Sequence, residues 1–265
     1  MSRAAIVTGA ARGIGAATVR GLAAEGWAVL AVDRCADDPR LPYALGTEAE
    51  LRAVVADAAS AAGEDRVVAH VADACDAAAM GAAVAETEER FGGLDAVIAV
   101  AGAVAGGVPL WELAPEQEDA VLDANLRSVL VTARTGIPAL LRRPEPRSGR
   151  FLAVASVAAT RGLPMLAAYC AAKAGVTGLV RALAAELRGT GVTAAAVSPG
   201  STATPMLDES ARLYGLASAE EFARQQTIER LLAPEEVAAV LVWLAGPAGG
   251  AVTGADVPVD GGLSV

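Results

Sequence analysis

Short apolar runs of strand length alternate with helical stretches along the whole chain, a pattern that points to a parallel sheet covered on both faces. Residues 4–7, 27–32, 66–72, 96–100, 151–155, 192–197 and 257–259 read as strands. Helical patterns fill residues 47–62, 77–91 and 234–244, a stretch ending near Gly26, one starting near Pro115 and one ending at Leu187. No repeat or linker interrupts the series, so residues 1–265 read as one domain, an ordinary size for an α/β fold. Residues 208–232 are polar, charged at intervals and helical in pattern. With the preceding turn they read as a lid over about 201–232, or as a plain surface excursion.

Composition narrows the function classes. A net charge of -10 argues against nucleic acid or an anionic membrane as partner and leaves a small molecule. Only 3% of residues are aromatic, so the core must be built from Ala, Val and Leu. Cys35, Cys75 and Cys170 are odd in number and form no Cys-x-x-Cys pair, as expected of free thiols in a reducing compartment. Cys170 follows Tyr169, but helical neighbours point about 100° apart, so it reads as a packing residue. His70 is the single histidine, placed in a strand expected to be buried, and no metal site is expected. Residues 1–3 run into the first strand with no signal-peptide core before Arg12, and Gly, Pro, Ser or Thr break the uncharged runs 189–207 and 237–255. A soluble, cytoplasmic protein is expected.

The first strand runs into TGAARGIG, residues 8–15, and then a helix. A glycine-rich turn there lets the backbone approach a pyrophosphate at the helix N-terminus, although the same turn also serves simply to reverse the chain. The second strand ends at Asp33, 18 residues after Gly15. A carboxylate at that place accepts hydrogen bonds from the adenine-ribose hydroxyls of NAD and repels the extra phosphate of NADP. Arg12 and Arg34 lie close enough in sequence to serve such a phosphate instead. Asp73, at the end of the third strand, suits either the adenine edge or the start of a helix. Residues 35–46 form a long loop with two prolines.

Residues 151–187 carry the chemistry. Ser156 ends a strand, and Tyr169 and Lys173 stand four apart on a helix, projecting from one face. Making a tyrosine a base near neutrality needs a shift of roughly 3 units, or about 4 kcal/mol. One positive charge at ~4 Å supplies roughly that at an effective dielectric of about 20. Lys173 is therefore expected to activate Tyr169, with the Ser156 hydroxyl polarising the same substrate oxygen. The spacing alone is common on helices. Asn125 interrupts an apolar stripe of Val121, Leu122, Leu126, Val129 and Leu130, as a structural hydrogen-bonder or as a polar group facing a site. Thr202 and Thr204, after Pro199-Gly200, offer hydroxyls and amides to an amide-bearing ring.

Taken in order, TGAARGIG, Asn125, Ser156, YCAAK at 169–173, SPGSTATP and VTGADVPVDGG resemble the short-chain dehydrogenase/reductase family over residues 4–262. The resemblance implies a single-domain Rossmann fold of seven parallel strands with helices on both faces and a small helical substrate lid. It implies NAD as cofactor and a tetrad: Ser156 holds the substrate oxygen, Tyr169 transfers the proton, Lys173 lowers the tyrosine pKa and binds the nicotinamide ribose, and Asn125 supports a water that relays protons. The implied cofactor contacts are Gly9, Ala11, Arg12, Gly13, Ile14, Gly15, Asp33, Arg34, Asp73, Ala74, Ala101, Gly102, Tyr169, Lys173, Pro199, Gly200, Thr202 and Thr204. Val104, Trp111, Ala158, Met165, Met206 and Tyr214 are the expected substrate walls. One departure stands out: Ala99-Val100-Ala101-Gly102 occupies the place of the usual Asn-Asn-Ala-Gly, removing side-chain amides that brace the segment.

The loop 35–46, the Pro144-Glu145-Pro146 segment and the lid are similar to the mycofactocin-associated, carveol dehydrogenase-like branch. That branch implies NAD retained between turnovers and a peptide-derived redox carrier that removes its hydride. The family also implies dimers or, as expected here, a homotetramer. The expected activity is hydride transfer between a secondary alcohol, cyclic or terpenoid, and NAD. The rivals are an NADPH-dependent ketoreductase of the 3-oxoacyl-carrier type and a non-catalytic NAD-binding protein.

Overall fold

A computed structural model describes residues 3–63 and 65–265. Met1 and Ser2 of the lead-in lie outside the described residues. Seven parallel strands form one sheet in the order β3-β2-β1-β4-β5-β6-β7. They are β1 (Ala4–Thr8), β2 (Ala28–Asp33), β3 (Val67–Val71), β4 (Ala96–Ala99), β5 (Arg150–Val154), β6 (Thr193–Pro199) and β7 (Asp256–Val259). Successive side chains take opposite faces, as the pleat demands. Ala5, Val7, Val29 and Ala31 join one core and Ile6, Leu30 and Val32 the other.

The first core is closed by α1 (Gly13–Ala24), α2 (Glu48–Ala62) and α8 (Pro234–Ala245) through Val19, Leu22, Leu51, Leu241 and Leu244. The second is closed by α3 (Ala77–Phe91), α5 (Ser128–Arg142) and α6 (Ala167–Glu186) through Met80, Val84, Leu140, Val176 and Val180. With few aromatics available, helices approach through small residues. A Cβ on Gly21 would meet Val242 of α8 at 3.0 Å, and one on Gly136 would meet Val97 of β4 at 2.8 Å. Local signals set the helix ends: a reciprocal Thr47–Glu50 capping box starts α2, and Asp76 caps α3.

The sequence places one helix from Pro115 onward, and the structure breaks it. α4 (Pro115–Leu122) passes through a π turn at Asp123–Arg127 before α5. The widened turn moves the register, as such turns do near functional sites. Asn125 is drawn fully inside, while Leu130, expected in the apolar stripe, is exposed. Two further expectations need correction. His70 is half-buried on the edge strand β3, with Nδ1 2.6 Å from Glu86. The lid helix α7 (Pro205–Leu213) starts before Asp208, capped by Thr204, and its second segment, Ala219–Gln225, is 3-10.

Among the described residues no helix is long and apolar enough to cross a membrane, and no cluster of three potential metal ligands occurs. The chain order reverses between β1 and β4, opening a crevice at the carboxyl ends of the strands. Gly15 is tightly enclosed there, because a Cβ would collide with the Gly9 carbonyl. Gly15→Ala is expected to lower the melting temperature and abolish nucleotide binding, whereas Gly21→Ala, which meets only a movable side chain, costs at most a few degrees; thermal denaturation with and without nucleotide checks both.

Candidate active site

A cavity of about 660 Å³ runs along that crevice from Asp33 to Tyr169, within the size range of small-molecule sites. Gly9, Arg12, Gly13, Ile14, Gly15, Asp33, Arg34, Asp73, Ala74, Ala101, Gly102, Pro199, Gly200, Thr202 and Thr204 all line it. Ala11 does not. It is buried, and its N–H donates to Asp33 Oδ2 at 2.9 Å, so it orients the carboxylate from behind. Asp33 Oδ1 accepts from Cys35 N at 3.1 Å, which fixes the second oxygen. Asp73 is not the cap of α3, a place taken by Asp76; it accepts from Cys75 N at 2.8 Å and faces the cavity.

The glycine turn fits a dinucleotide. Gly9 and Gly13 have φ values of 66° and 57°, in the region favouring glycine. A Cβ on Gly9 would lie 2.7 Å from Ala101 Cα, so the two crevice walls touch backbone to backbone. The missing amides at 99 and 100 have a substitute: Thr8 Oγ1 accepts from Val100 N at 3.1 Å and from Ala101 N at 3.3 Å.

At the far end Ser156, Tyr169 and Lys173 share one wall. Ser156 Oγ accepts from Ala158 N at 3.1 Å, which leaves its proton to donate to the Tyr169 phenol oxygen or to a ligand oxygen. Lys173 is buried, its Nζ donates to the Val154 carbonyl at 2.9 Å, and it stands 5.6 Å from the Tyr169 ring centre. Burial of both groups works against the expected activation of Tyr169 by Lys173. Burial pushes the phenol up to about 12, with the Ser156 hydroxyl opposing. Burial also brings the ammonium down to about 8. Attraction between the two groups favours their charged forms, and the desolvation of each opposes it.

Asn125 lies behind this wall. Its Nδ2 donates to Ala103 O at 2.7 Å and Val121 O at 2.8 Å, yet its buried Oδ1 has no partner. A methyl group placed on Gly102 would sit 2.7 Å from that oxygen and 3.6 Å from Lys173 Nζ. An orphan acceptor beside a buried ammonium marks a polar gap suited to a water.

Of the expected substrate walls, Val104, Met206 and Tyr214 line the cavity, and three others do not. Trp111 sits on a 3-10 turn and is 85% exposed to solvent. Ala158 is buried and serves through the N–H that holds Ser156. Met165 occupies a tight turn at φ 61°, and it contributes its carbonyl, which accepts from Gly107 N at 3.1 Å. Tyr214 reaches across the opening, its hydroxyl donating to the Pro164 carbonyl at 2.7 Å and its ring meeting Phe222 edge-on.

Sequence reasoning missed what loop 35–46 does. Asp38, Arg40, Leu41, Tyr43 and Leu45 line the cavity, so the loop is a strap along it. Tyr43 Oη accepts from Val104 N at 2.9 Å, and Arg12 donates to Ala44 O at 2.9 Å. Tyr43 is one of only three tyrosines in the chain, and that scarcity was the available signal. Burial, followed by nearby carboxylates, raises the Cys35 and Cys75 thiols to about 11 and about 12, which makes both poor nucleophiles.

A dinucleotide crevice ending in a serine, a tyrosine and a lysine defines a class, and the comparisons agree with it. The family model described as enoyl-(acyl carrier protein) reductase matches residues 9–264. Short-chain reductase protein NovJ of Streptomyces niveus is 41% identical over 97% of this chain and 92% of its own. The uncharacterized NAD-dependent oxidoreductase Rv0687 of Mycobacterium tuberculosis is 34% identical over 98% of this chain and 95% of its own. Carveol dehydrogenase from Mycobacterium avium, solved with NAD, superposes with a TM-score of 0.91 at 29% identity, covering 98% of this chain and 97% of that one. The chain belongs to the short-chain dehydrogenase/reductase family of oxidoreductases.

Lys173 tests the burial argument without any ligand. Its ammonium titrates near 8 when folded and near 10.5 when unfolded, so the charged form costs about 3 kcal/mol at neutral pH. Because the unfolded chain binds the extra proton between those values, wild-type stability rises as pH climbs through them. Lys173→Met should therefore compare best with wild type below pH 8 and lose that advantage by pH 10.5, read as the difference in melting temperature.

Proposed function

We propose that the protein is an NAD-dependent oxidoreductase moving a hydride between an apolar secondary alcohol, or its ketone, and the nicotinamide ring, with Tyr169 as acid and base. The observation that carries this reading is one continuous cavity with Asp33 at one end and Ser156, Tyr169 and Lys173 at the other. When bound, NAD supplies the hydride acceptor. The chain's own residues do the rest. Ser156 Oγ donates to the alcohol oxygen, and Tyr169 Oη takes its proton as the carbon gives up hydride. Lys173 holds the nicotinamide ribose, and the gap at Asn125 Oδ1 carries a water that passes the proton on. Asp33 receives the adenine-ribose hydroxyls.

NAD is favoured because Asp33 faces the cavity and both arginines that motivated the NADPH reading are engaged. Arg12 donates to Ala44, and Arg34 contacts Asp38 and Asp73. The strap along the cavity supports a cofactor retained between turnovers, and a retained cofactor would need an external redox carrier, here read as peptide-derived, to re-oxidise it. Val104, Leu163, Leu166, Met206, Tyr214 and Leu263 give the substrate end an apolar wall, as a cyclic or terpenoid alcohol needs.

Alcohol oxidation should rise with pH, since the proton must first leave a phenol that burial holds up. Tyr169→Phe is expected to lower the rate by about 10²–10⁴ and remove that rise, with NADH binding unchanged. Near-normal oxidation by this variant would show that the proton chemistry lies elsewhere.

A further inference from the structure

The strap places a second carboxylate, Asp38, against the side chain of Arg34, the residue that follows Asp33. Asp38 is 4% exposed and accepts four hydrogen bonds: from Arg34 Nη1 at 3.0 Å, Arg40 Nε at 2.9 Å, Arg40 Nη2 at 2.8 Å and Arg40 N at 3.0 Å. Arg40 reaches on to Asp123 at 2.9 Å, and Arg34 Nε lies 3.6 Å from Asp73. All five residues line the nucleotide end of the cavity. Each guanidinium there is already matched by carboxylates, and Arg12 is turned to the Ala44 carbonyl.

We infer that Asp38 determines cofactor selectivity together with Asp33, by withholding Arg34 and Arg40 from the 2′-phosphate of NADP. The inference rests on the NAD reading above and extends it to a residue outside the β2 end. A phosphate monoester brings a charge of about −1.5 to −2 and needs guanidinium partners to offset it. Repulsion from Asp33 alone is one barrier, and a neighbouring arginine could compensate for it. With Arg34 bonded to a buried carboxylate, that compensation requires breaking an ion pair and leaving Asp38 partly unpaired. Such a buried, stripped charge is costly. The same network anchors the strap to the π turn through Asp123, so selectivity and strap position share one set of contacts.

The test uses full-length protein freed of nucleotide with charcoal and titrated with NADH and NADPH by nucleotide fluorescence. Asp38→Asn keeps the shape and removes the charge, and it should raise the NADPH-to-NADH affinity ratio about tenfold or more. Arg34→Ala alone should leave the ratio within about twofold, and in the Asp38→Asn background it should erase the gain. Equal weakening of both nucleotides by Asp38→Asn would mean that Asp38 only holds the strap, and the inference would be overturned. A large loss of NADPH binding in Arg34→Ala alone would overturn it as well, because Arg34 would already be available. That arm decides the matter even if Asp38→Asn does not fold. Failure of the underlying reading looks different: wild-type protein would bind neither nucleotide, and the inference would fall with it.

Discussion

Parallel strands have one polarity, and the site follows from it. Seven strands running the same way bring their carboxyl ends, and the loops that leave them, to a single rim. The reversal of order between β1 and β4 prevents those loops from covering the rim evenly, and a crevice remains. Both sheet faces are already sealed by Ala, Val and Leu against helices, so polar residues leaving the strand ends have only that crevice to occupy. Thr8, Asp33, Asp73 and Ser156 all lie on it.

Desolvation then sets the character of the site. Tyr169 and Lys173 are taken out of water together, and each is pushed toward its neutral form. At neutral pH the phenol stays protonated, while the ammonium keeps its charge at a desolvation cost. The same low-dielectric surroundings strengthen any charge that later arrives beside them. At the nucleotide end the opposite solution prevails: Asp38, Arg34, Arg40 and Asp123 keep their charges by pairing, and Arg40 holds the Asp38 carboxyl well below its usual range. One cavity thus has a desolvated reactive end and an ion-paired recognition end.

Much of this was legible in the sequence, for identifiable reasons. Strand alternation, the glycine turn, Asp33 and the Tyr169–Lys173 spacing depend on local periodicity and survive folding unchanged. The strap did not show itself, because the partners of Arg40 and Tyr43 lie at Asp123 and Val104, far along the chain. Trp111 is expected among the mostly apolar walls, yet a short 3-10 turn carries it into solvent. The π turn that buries Asn125 and exposes Leu130 shifts helical phase by a residue, which a fixed 3.6 period cannot register. Thr8 bracing Val100 and Ala101 also depended on a contact between two strands.

The site we propose keeps NAD and refuses NADP through the strap at its nucleotide end. Its most direct test is mass spectrometry of the nucleotide released on denaturing protein purified without added cofactor. Near-stoichiometric NAD or NADH is the predicted result. Protein carrying NADP, or none of these nucleotides, would contradict the account.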